Sequence, residues 1–167
     1  MSLLIPANDS KNDGGCIVVS STPVVSAAAI YASGDSIGGL ITLSNVAPQT
    51  NVNNAGSGKI NSAVIADKAA QSANIDVVFF DSNPSATTVT DNVALTIADA
   101  DLTKIIGVIA LTTHKTFVNN SVSVAQDQSI PFNLGNASTL YAILVARSTP
   151  TFVATTDVTL RVGITPT

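Results

Sequence analysis

Alternation of apolar and polar residues with a period of two is the feature that most constrains the fold of this chain. It is clearest near the C-terminal end, where residues 152–164 alternate almost without a break. A period of two places successive side chains on opposite faces of a β-strand, one buried and one solvated. The apolar positions are Phe152, Ala154, Val158, Leu160, Val162 and Ile164, and Thr155, Asp157, Thr159 and Arg161 fall between them.

The same residue types, mainly Val, Ile, Ala, Thr, Ser and Asn, recur in short segments separated by turn residues. Short strands at this spacing are typical of two packed antiparallel sheets. The sequence therefore predicts an all-β fold, an antiparallel β-sandwich, with one short helical turn near residues 97–104. The predicted strands are residues 16–20, 24–31, 37–44, 59–67, 74–81, 105–112, 117–125, 129–134, 139–147 and 152–164.

Two of these segments are apolar at both parities, residues 75–81 and residues 105–111. Strands covered on both faces have this pattern, so we expect both to be central in their sheets. No repeat and no linker divides the chain after residue 15. We therefore predict an N-terminal arm of residues 1–15 followed by a single β-sandwich domain of residues 16–167.

The chain carries few charges: 11% of its residues are charged and its formal net charge is −4. Ordinary soluble domains have a charged fraction of about 25%. The lysines and arginines are scattered, and a nucleic-acid interface needs them clustered, so we expect no nucleic-acid partner. No apolar run approaches the roughly 18 residues of a membrane helix, and we expect no membrane partner. A surface of hydroxyls and amides is also inexpensive to desolvate against another protein.

Three aspartates, Asp91, Asp99 and Asp101, are the best candidates for an ionic site. An Asp-x-Asp pair can contribute to calcium binding, but the other ligands of a calcium loop are missing here. We expect Asp99 to cap the helical turn and Asp101 to be solvated. No metal site and no cofactor are predicted.

The sequence contains few reactive side chains that could act as catalytic nucleophiles or bases. A nucleophilic mechanism needs a base and an orienting acid, yet the chain has one histidine, His114, one cysteine, Cys16, and no Gly-x-Ser-x-Gly elbow. We expect His114 to be exposed in a turn and Cys16 to be a small buried apolar residue. The chain is therefore not expected to be an enzyme. A hydrolase that uses His114 or an aspartate is kept as the least favoured class.

Two segments are candidate partner contacts. The N-terminal arm begins with the apolar residues Leu3, Leu4 and Ile5, and we expect it to dock either on its own domain or on a neighbouring chain. The longest loop, residues 47–58, is polar and is a natural place for contact with another molecule. Its candidate contact residues are Asn51, Asn53 and Asn54.

Residues 31–40, 80–92 and 97–107 resemble sequences of small structural proteins encoded by tailed bacteriophages, the capsid decoration or cement proteins. The resemblance covers roughly residues 24–147, and its motifs are turns and strands. It implies a β-sandwich or jelly-roll domain on the outer face of a phage head. The implied partners are the major capsid protein and further copies of this chain, as a dimer or a trimer.

The resemblance also implies a location on the outer capsid surface of the virion, after assembly in the host cytoplasm. An alternative function is a head-fibre or tail-associated module that binds a host-surface glycan through the loop of residues 47–58. The absence of Trp and the presence of only two tyrosines, Tyr31 and Tyr141, argue against an aromatic platform for sugar rings.

Overall fold

The computed structural model describes residues 15–47 and 56–167. The chain is nearly all β within these ranges, with one 3₁₀ helix, Asp99–Lys104. The strands are β1 (Ile17–Ser21), β2 (Ile41–Ser44), β3 (Ser57–Asp67), β4 (Ile75–Phe80), β5 (Ile105–Leu111), β6 (Thr113–Thr116), β7 (Ser121–Ala125), β8 (Ile130–Asn133), β9 (Thr139–Ala146) and β10 (Val158–Pro166).

Strand pairing is antiparallel throughout and is nested along the chain. The outermost strands pair with each other, β1 with β10, then β2 with β9 and β3 with β8 and β7, and the innermost pair is β4 with β5. This nesting is what results when one long hairpin is rolled into two packed sheets. The fold is thus the predicted antiparallel β-sandwich of jelly-roll type.

The first sheet has the order β1-β10-β3-β7-β6, with β8 also paired to β3, and the second has the order β2-β9-β4-β5. The predicted burial of one face of β10 is confirmed, because its apolar residues are fully buried: Val158, Leu160, Val162 and Ile164. They belong to a core cluster that draws on both sheets, with Leu43, Phe79 and Leu144 among the buried residues of the second sheet. The period of two therefore determines which side chains enter the space between the sheets.

A second, smaller cluster lies on the outer face of the second sheet. Val78 and Phe80 of β4 and Ile143 and Val145 of β9 are buried there, beneath the connection between β4 and β5. Val89, Leu95 and Ile97 of that connection cover them. Strand β4 is therefore central and covered on both faces, as its apolar pattern predicts.

The same prediction is wrong for β5, which is an edge strand. Ile109 and Leu111 enter the core, but Val108 is half-exposed on the outer face. Apolar residues at both parities indicate coverage on both faces only when a neighbouring layer exists. The connection between β4 and β5 covers β4 and leaves Val108 open.

The backbone also differs from the predicted strands elsewhere: β2 and β10 begin later than predicted, at Ile41 and Val158. Residues 24–31 form no strand and make only isolated bridges, Ala27 with Phe152 and Ile30 with Thr151. Residues 117–120 are a turn, so the segment predicted as one strand, 117–125, contributes only β7. Strand β6 was not predicted, because residues 105–116 cross from one sheet to the other at Thr112 without a turn signal in the sequence.

The antiparallel topology gathers four connections at one end of the sandwich, which we call the loop end. They are residues 22–40, 68–74, 117–120 and 147–157. The connections at the opposite end begin after β2, β4 and β8, whereas the short connection after β7 lies beside the middle of β3. Within residues 15–47 and 56–167, no helix has the length and apolarity that a membrane span requires.

Candidate functional site at the loop end of the sandwich

The connection before β10 is shaped by a single carboxylate, that of Asp157. Its Oδ2 accepts hydrogen bonds from the amides of Val153 and Ala154, both at 2.8 Å. The Asp157 amide donates in turn to the Ala154 carbonyl at 3.2 Å. This is the local pairing by which aspartate favours turns over strands, and it explains why β10 begins at Val158 and not at Phe152.

The long connection between β1 and β2 is fastened by Asp91. Its carboxylate accepts hydrogen bonds from the Ser26 hydroxyl at 2.5 Å, the Tyr31 hydroxyl at 2.7 Å and the Gly38 amide at 2.5 Å. Burial raises the pKa of Tyr31 above its ordinary value, and the bond to Asp91 raises it further. The phenol is therefore a protonated donor at neutral pH.

Two more carboxylates act in the same way at this end. Asp67, where β3 ends, accepts from the amides of Ala69 and Gln71 at 2.8 and 2.6 Å and from the Ser121 hydroxyl at 3.2 Å. Asp35 accepts from the Ala32 amide at 2.7 Å. Because backbone amides outside a sheet need acceptors, these aspartates stabilise loops that would otherwise be solvated.

The two largest connections of the loop end are also bonded to each other. The amide of Val25 donates to the Thr155 carbonyl at 3.0 Å, and the amide of Ala28 donates to the Phe152 carbonyl at 2.7 Å. Beneath them the rings of Tyr31 and Phe152 meet edge to face, with centroids 5.5 Å apart. The loop end is thus a packed and hydrogen-bonded surface.

This surface carries the most exposed large apolar side chains of the described residues. Val118 is 96% exposed, Val153 is 76%, Val24 and Ile30 are each 71%, and Phe117 is 59%. Four other large apolar side chains are also exposed, but by 50–54%. Phe117 and Val118 form the tip of the β6–β7 hairpin, which the Thr116–Ser121 pair closes.

Charge at the loop end is distributed unevenly between the two signs. Its carboxylates are buried or half-buried in the hydrogen bonds described above, whereas Lys68 and Lys115 are exposed. The Lys68 ammonium donates to the Thr156 carbonyl at 3.0 Å. Arg147 pairs with Asp76 at 2.6 Å. The free charges around the apolar side chains are therefore cationic, although the chain as a whole has a net charge of −4.

Sequence reasoning assigned these apolar residues to strands and missed the surface. One signal was available: residues 22–34 and residues 148–156 contain no charged side chain. A second was the Asn119–Asn120 pair, a turn signal directly after Phe117 and Val118. Neither signal shows that the segments meet, because their proximity arises from strand pairing.

The predicted roles of Asp99 and Asp101 are corrected by the structure. Ala98, not Asp99, is the N-cap of the 3₁₀ helix, and no side chain caps it. Asp101 is fully buried: it accepts from the Ala86 amide at 3.0 Å, the Thr87 hydroxyl at 2.7 Å and the Lys104 ammonium at 2.7 Å.

The bond from Lys104 lowers the pKa of Asp101; burial opposes this shift and the bond from Thr87 adds to it. Spacing alone could not identify the role of Asp101, because the amide and the hydroxyl that it binds lie 15 and 14 residues earlier, respectively. The carboxylate fastens the connection between β4 and β5 and is not solvated.

His114 and Cys16 also differ from their predictions. His114 lies in strand β6 rather than in a turn, with Nδ1 at 2.7 Å from the Ser123 hydroxyl and Nε2 at 2.8 Å from Asn74 Oδ1. Both ring nitrogens are engaged: Nδ1 contacts a residue of the same sheet, and Nε2 contacts the residue that precedes β4 of the second sheet. Cys16 precedes β1 and is exposed, not buried. No sulfur–histidine or serine–histidine–acid arrangement forms around either residue within the described chain.

The predicted contact residues Leu3, Leu4, Ile5, Asn51, Asn53 and Asn54 lie outside the described residues. The chain that flanks them, Cys16 on one side and Ala47 and Gly56 on the other, lies at the end opposite the loop end. Gly56 donates to the Gly135 carbonyl at 2.7 Å there.

A shallow groove of about 440 Å³ lies on the connection between β4 and β5. Its walls are methyl groups and the hydroxyls of Thr88, Thr90 and Thr96. In residues 15–47 and 56–167, no group of three or more His, Cys, Asp or Glu side chains could hold a metal ion.

Comparison of the chain with models of protein families gave no match. Comparison with curated proteins and with solved structures gave none either. The assignment of a function to this jelly roll therefore rests on the chemistry of its surfaces.

Proposed function

We propose that this chain is a capsid decoration, or cement, protein of a tailed bacteriophage. It binds the outer surface of the major capsid protein lattice and stabilises the head. Its partners are the major capsid protein and further copies of itself, in a dimer or trimer. It is made in the host cytoplasm and resides on the outer surface of the virion.

One observation carries the proposal: the buried carboxylates of the described chain are used to hold its own loops, while large apolar side chains face the solvent. Asp35, Asp67, Asp101 and Asp157 all accept hydrogen bonds from amides or hydroxyls of the same chain. Such carboxylates have a structural role. The features left for function are surfaces that can be buried against another protein.

The fold and the composition support the same function. Jelly rolls occur in viral capsid proteins and also in lectin domains, so the fold alone does not choose between them. A neutral, hydroxyl-rich surface can be buried on a lattice at small electrostatic cost. A protein that binds the assembled shell but not the dispersed subunits stabilises the shell by mass action.

The arm of residues 1–15 and the loop of residues 47–58 remain proposed lattice contacts. The contact residues are Leu3, Leu4 and Ile5 in the arm and Asn51, Asn53 and Asn54 in the loop. Apolar residues of an arm could be buried between subunits, and the Asn side chains supply both donors and acceptors to a polar rim.

The test is sedimentation of purified protein with expanded heads of the phage that encodes it. We expect saturable binding to heads and none to dispersed capsid subunits. Deletion of residues 1–15 should reduce occupancy, and the urea midpoint of the deletion variant should match that of the full chain. Binding to a glycan array in place of heads would support the fibre-module alternative and contradict the cement function.

A further inference from the structure

We propose that the loop end is a docking face for a protein surface that offers apolar recesses bordered by carboxylates. This inference rests on the proposed function, under which that surface belongs to the capsid subunits. The docking face consists of Val24, Ile30, Phe117, Val118 and Val153, with Lys68 and Lys115 at its border.

The exposure of these side chains is not a by-product of folding. Antiparallel sandwiches expose loop residues at both ends, yet the five most exposed large apolar side chains of the described residues all lie at this one. Isolated exposed apolar residues are ordinary, but several large ones on one end of a molecule are typical of an interaction site. Phe117 is also the one phenylalanine of five that is outside the core.

The face is held in shape before any partner arrives. Asp157 holds the turn that presents Val153, and Asp91 holds the segment that presents Val24 and Ile30. The Ala28 amide joins that segment to Phe152. A surface ordered in advance loses less conformational entropy on binding, which favours recognition of a partner with a fixed shape.

Charge identifies the chemistry of the partner. The carboxylates of the loop end are satisfied internally. The exposed residues Lys68 and Lys115 form no ion pair among the described residues, and Lys68 donates to a backbone carbonyl, that of Thr156. Complementary potentials favour association, and like charges oppose it. The complementary surface is thus acidic where it meets the lysines and apolar where it meets the hairpin tip and Val153.

A lipid surface fits these observations less well than a protein does. Attraction to anionic lipid contributes about 1 kcal/mol of binding free energy for each basic residue near the surface. Only two exposed lysines, Lys68 and Lys115, border the face. The apolar residues also sit on three separate connections with hydroxyl-bearing residues such as Thr155 and Thr156 between them. A second copy of the chain would bring the same two lysines to the contact.

The experiment compares two triple variants on phage heads. The docking-face variant is Ile30→Thr, Val118→Ser and Val153→Thr. The matched control is Val18→Thr, Leu102→Ser and Val108→Thr, which replaces two valines and one larger aliphatic residue, as the first variant does, at exposed positions elsewhere. Because all six side chains are exposed, both variants should unfold at the wild-type urea midpoint. We expect the docking-face variant to bind heads at least about tenfold more weakly, and the control to bind as wild type does.

A charge-reversal variant, Lys68→Glu with Lys115→Glu, gives an independent measurement. It should weaken binding to heads, and the loss should shrink as salt is raised. Wild-type binding that neither variant reduces would overturn the docking face and leave the cement function standing.

Failure of the wild-type chain to bind heads would overturn the cement function together with this inference. Two parallel assays identify the other occupants in that case. Binding to vesicles of neutral lipid mixed with phosphatidylglycerol, if abolished in the docking-face variant, would assign the face to a membrane. Concentration-dependent self-association in analytical ultracentrifugation, if abolished by the same variant, would assign it to a second copy. Either result would overturn the proposed partner.

Discussion

The two ends of the sandwich use the same residue type, aspartate, for different results. At the loop end Asp35, Asp67 and Asp157 are buried and bind amides of the chain itself. At the opposite end Asp99 is exposed, and the buried Asp101 binds the Ala86 amide and also pairs with a lysine, Lys104. The loop end consequently keeps its aspartates away from solvent and presents apolar side chains. One end of an acidic protein can thus lack exposed carboxylates when those carboxylates accept hydrogen bonds from the amides of its turns.

Replacement of Asp67, one of two loop-end aspartates that accept three hydrogen bonds, should have the largest effect. Asp67→Ala removes an acceptor from two amides and the Ser121 hydroxyl, and unsatisfied buried groups cost roughly 1–3 kcal/mol each before relaxation. We expect the free energy of unfolding to fall by about 2–4 kcal/mol in urea titrations. The matched control is Asp99→Ala, an exposed carboxylate outside the loop end, which should change it by less than about 0.5 kcal/mol. Equal losses in the two variants would contradict the contrast between the ends.

The hydroxyl of Tyr31 should come second. Tyr31→Phe keeps the ring contact with Phe152 and removes the bonds to Asp91 and from the Ser26 amide. We expect a loss of about 1–2 kcal/mol of unfolding free energy, measured by chemical denaturation. The control is Tyr141→Phe, at a half-buried tyrosine on the outer face of the second sheet. We expect it to leave the free energy of unfolding nearly unchanged. An unchanged midpoint for Tyr31→Phe would mean that Asp91 does not fasten this segment.

Acid pH should act on Asp101 in the connection between β4 and β5. The pKa of Asp101 is lower in the folded chain than in the unfolded one. Its ionisation therefore stabilises the fold, and this contribution is complete above the unfolded pKa of about 4. That contribution is lost as pH falls through the lowered folded value. Urea midpoints at pH 7, 4, 3 and 2 should therefore decline less steeply in Asp101→Asn than in the wild type. Parallel curves for the two proteins would show that the Lys104 pair does not hold this connection.

The smallest expected effect is a gain. Ala28 has a φ of 57°, in the left-handed region that costs an alanine roughly 1–2 kcal/mol. Ala28→Gly removes that cost but adds conformational freedom to the unfolded chain, so we expect a rise in stability of at most about 1 kcal/mol. Ala29→Gly, at a neighbour without a positive φ, should instead lower stability slightly. A loss in Ala28→Gly as large as that in Ala29→Gly would argue against strain at the loop end.

Much of the fold could be predicted from local pattern. The alternation in β10, the apolar run of β4 and the 3₁₀ turn at Asp99–Lys104 all appear where the sequence indicates. Two of the strand errors have one source: where residues 24–31 and 152–156 continue a strand-like pattern, hydrogen bonds to Asp91 and Asp157 replace ladder pairing. The bonds to Asp91 join residues that are distant in sequence, and those to Asp157 form a local turn. A pattern with a period of two does not predict either kind of bond.

The candidate site was less predictable than the fold. The sequence shows that segments 22–34 and 148–156 lack charge, but their meeting depends on the nested pairing of β1 with β10 and β2 with β9. The hairpin tip at Phe117 and Val118 joins them because β6 and β7 end at the same side of the sandwich. Side-chain exposure at these positions is therefore a property of the assembled sheets.

The sequence by itself determined that the chain forms short strands with one apolar face, because side-chain direction alternates strictly along an extended backbone. It also determined that charge is scarce and that reactive side chains are few. Only the tertiary structure decided which aspartates become buried acceptors and which apolar residues remain in solvent. Both outcomes depend on which loops the strand pairing brings together, since a carboxylate can hold only the amides within its reach.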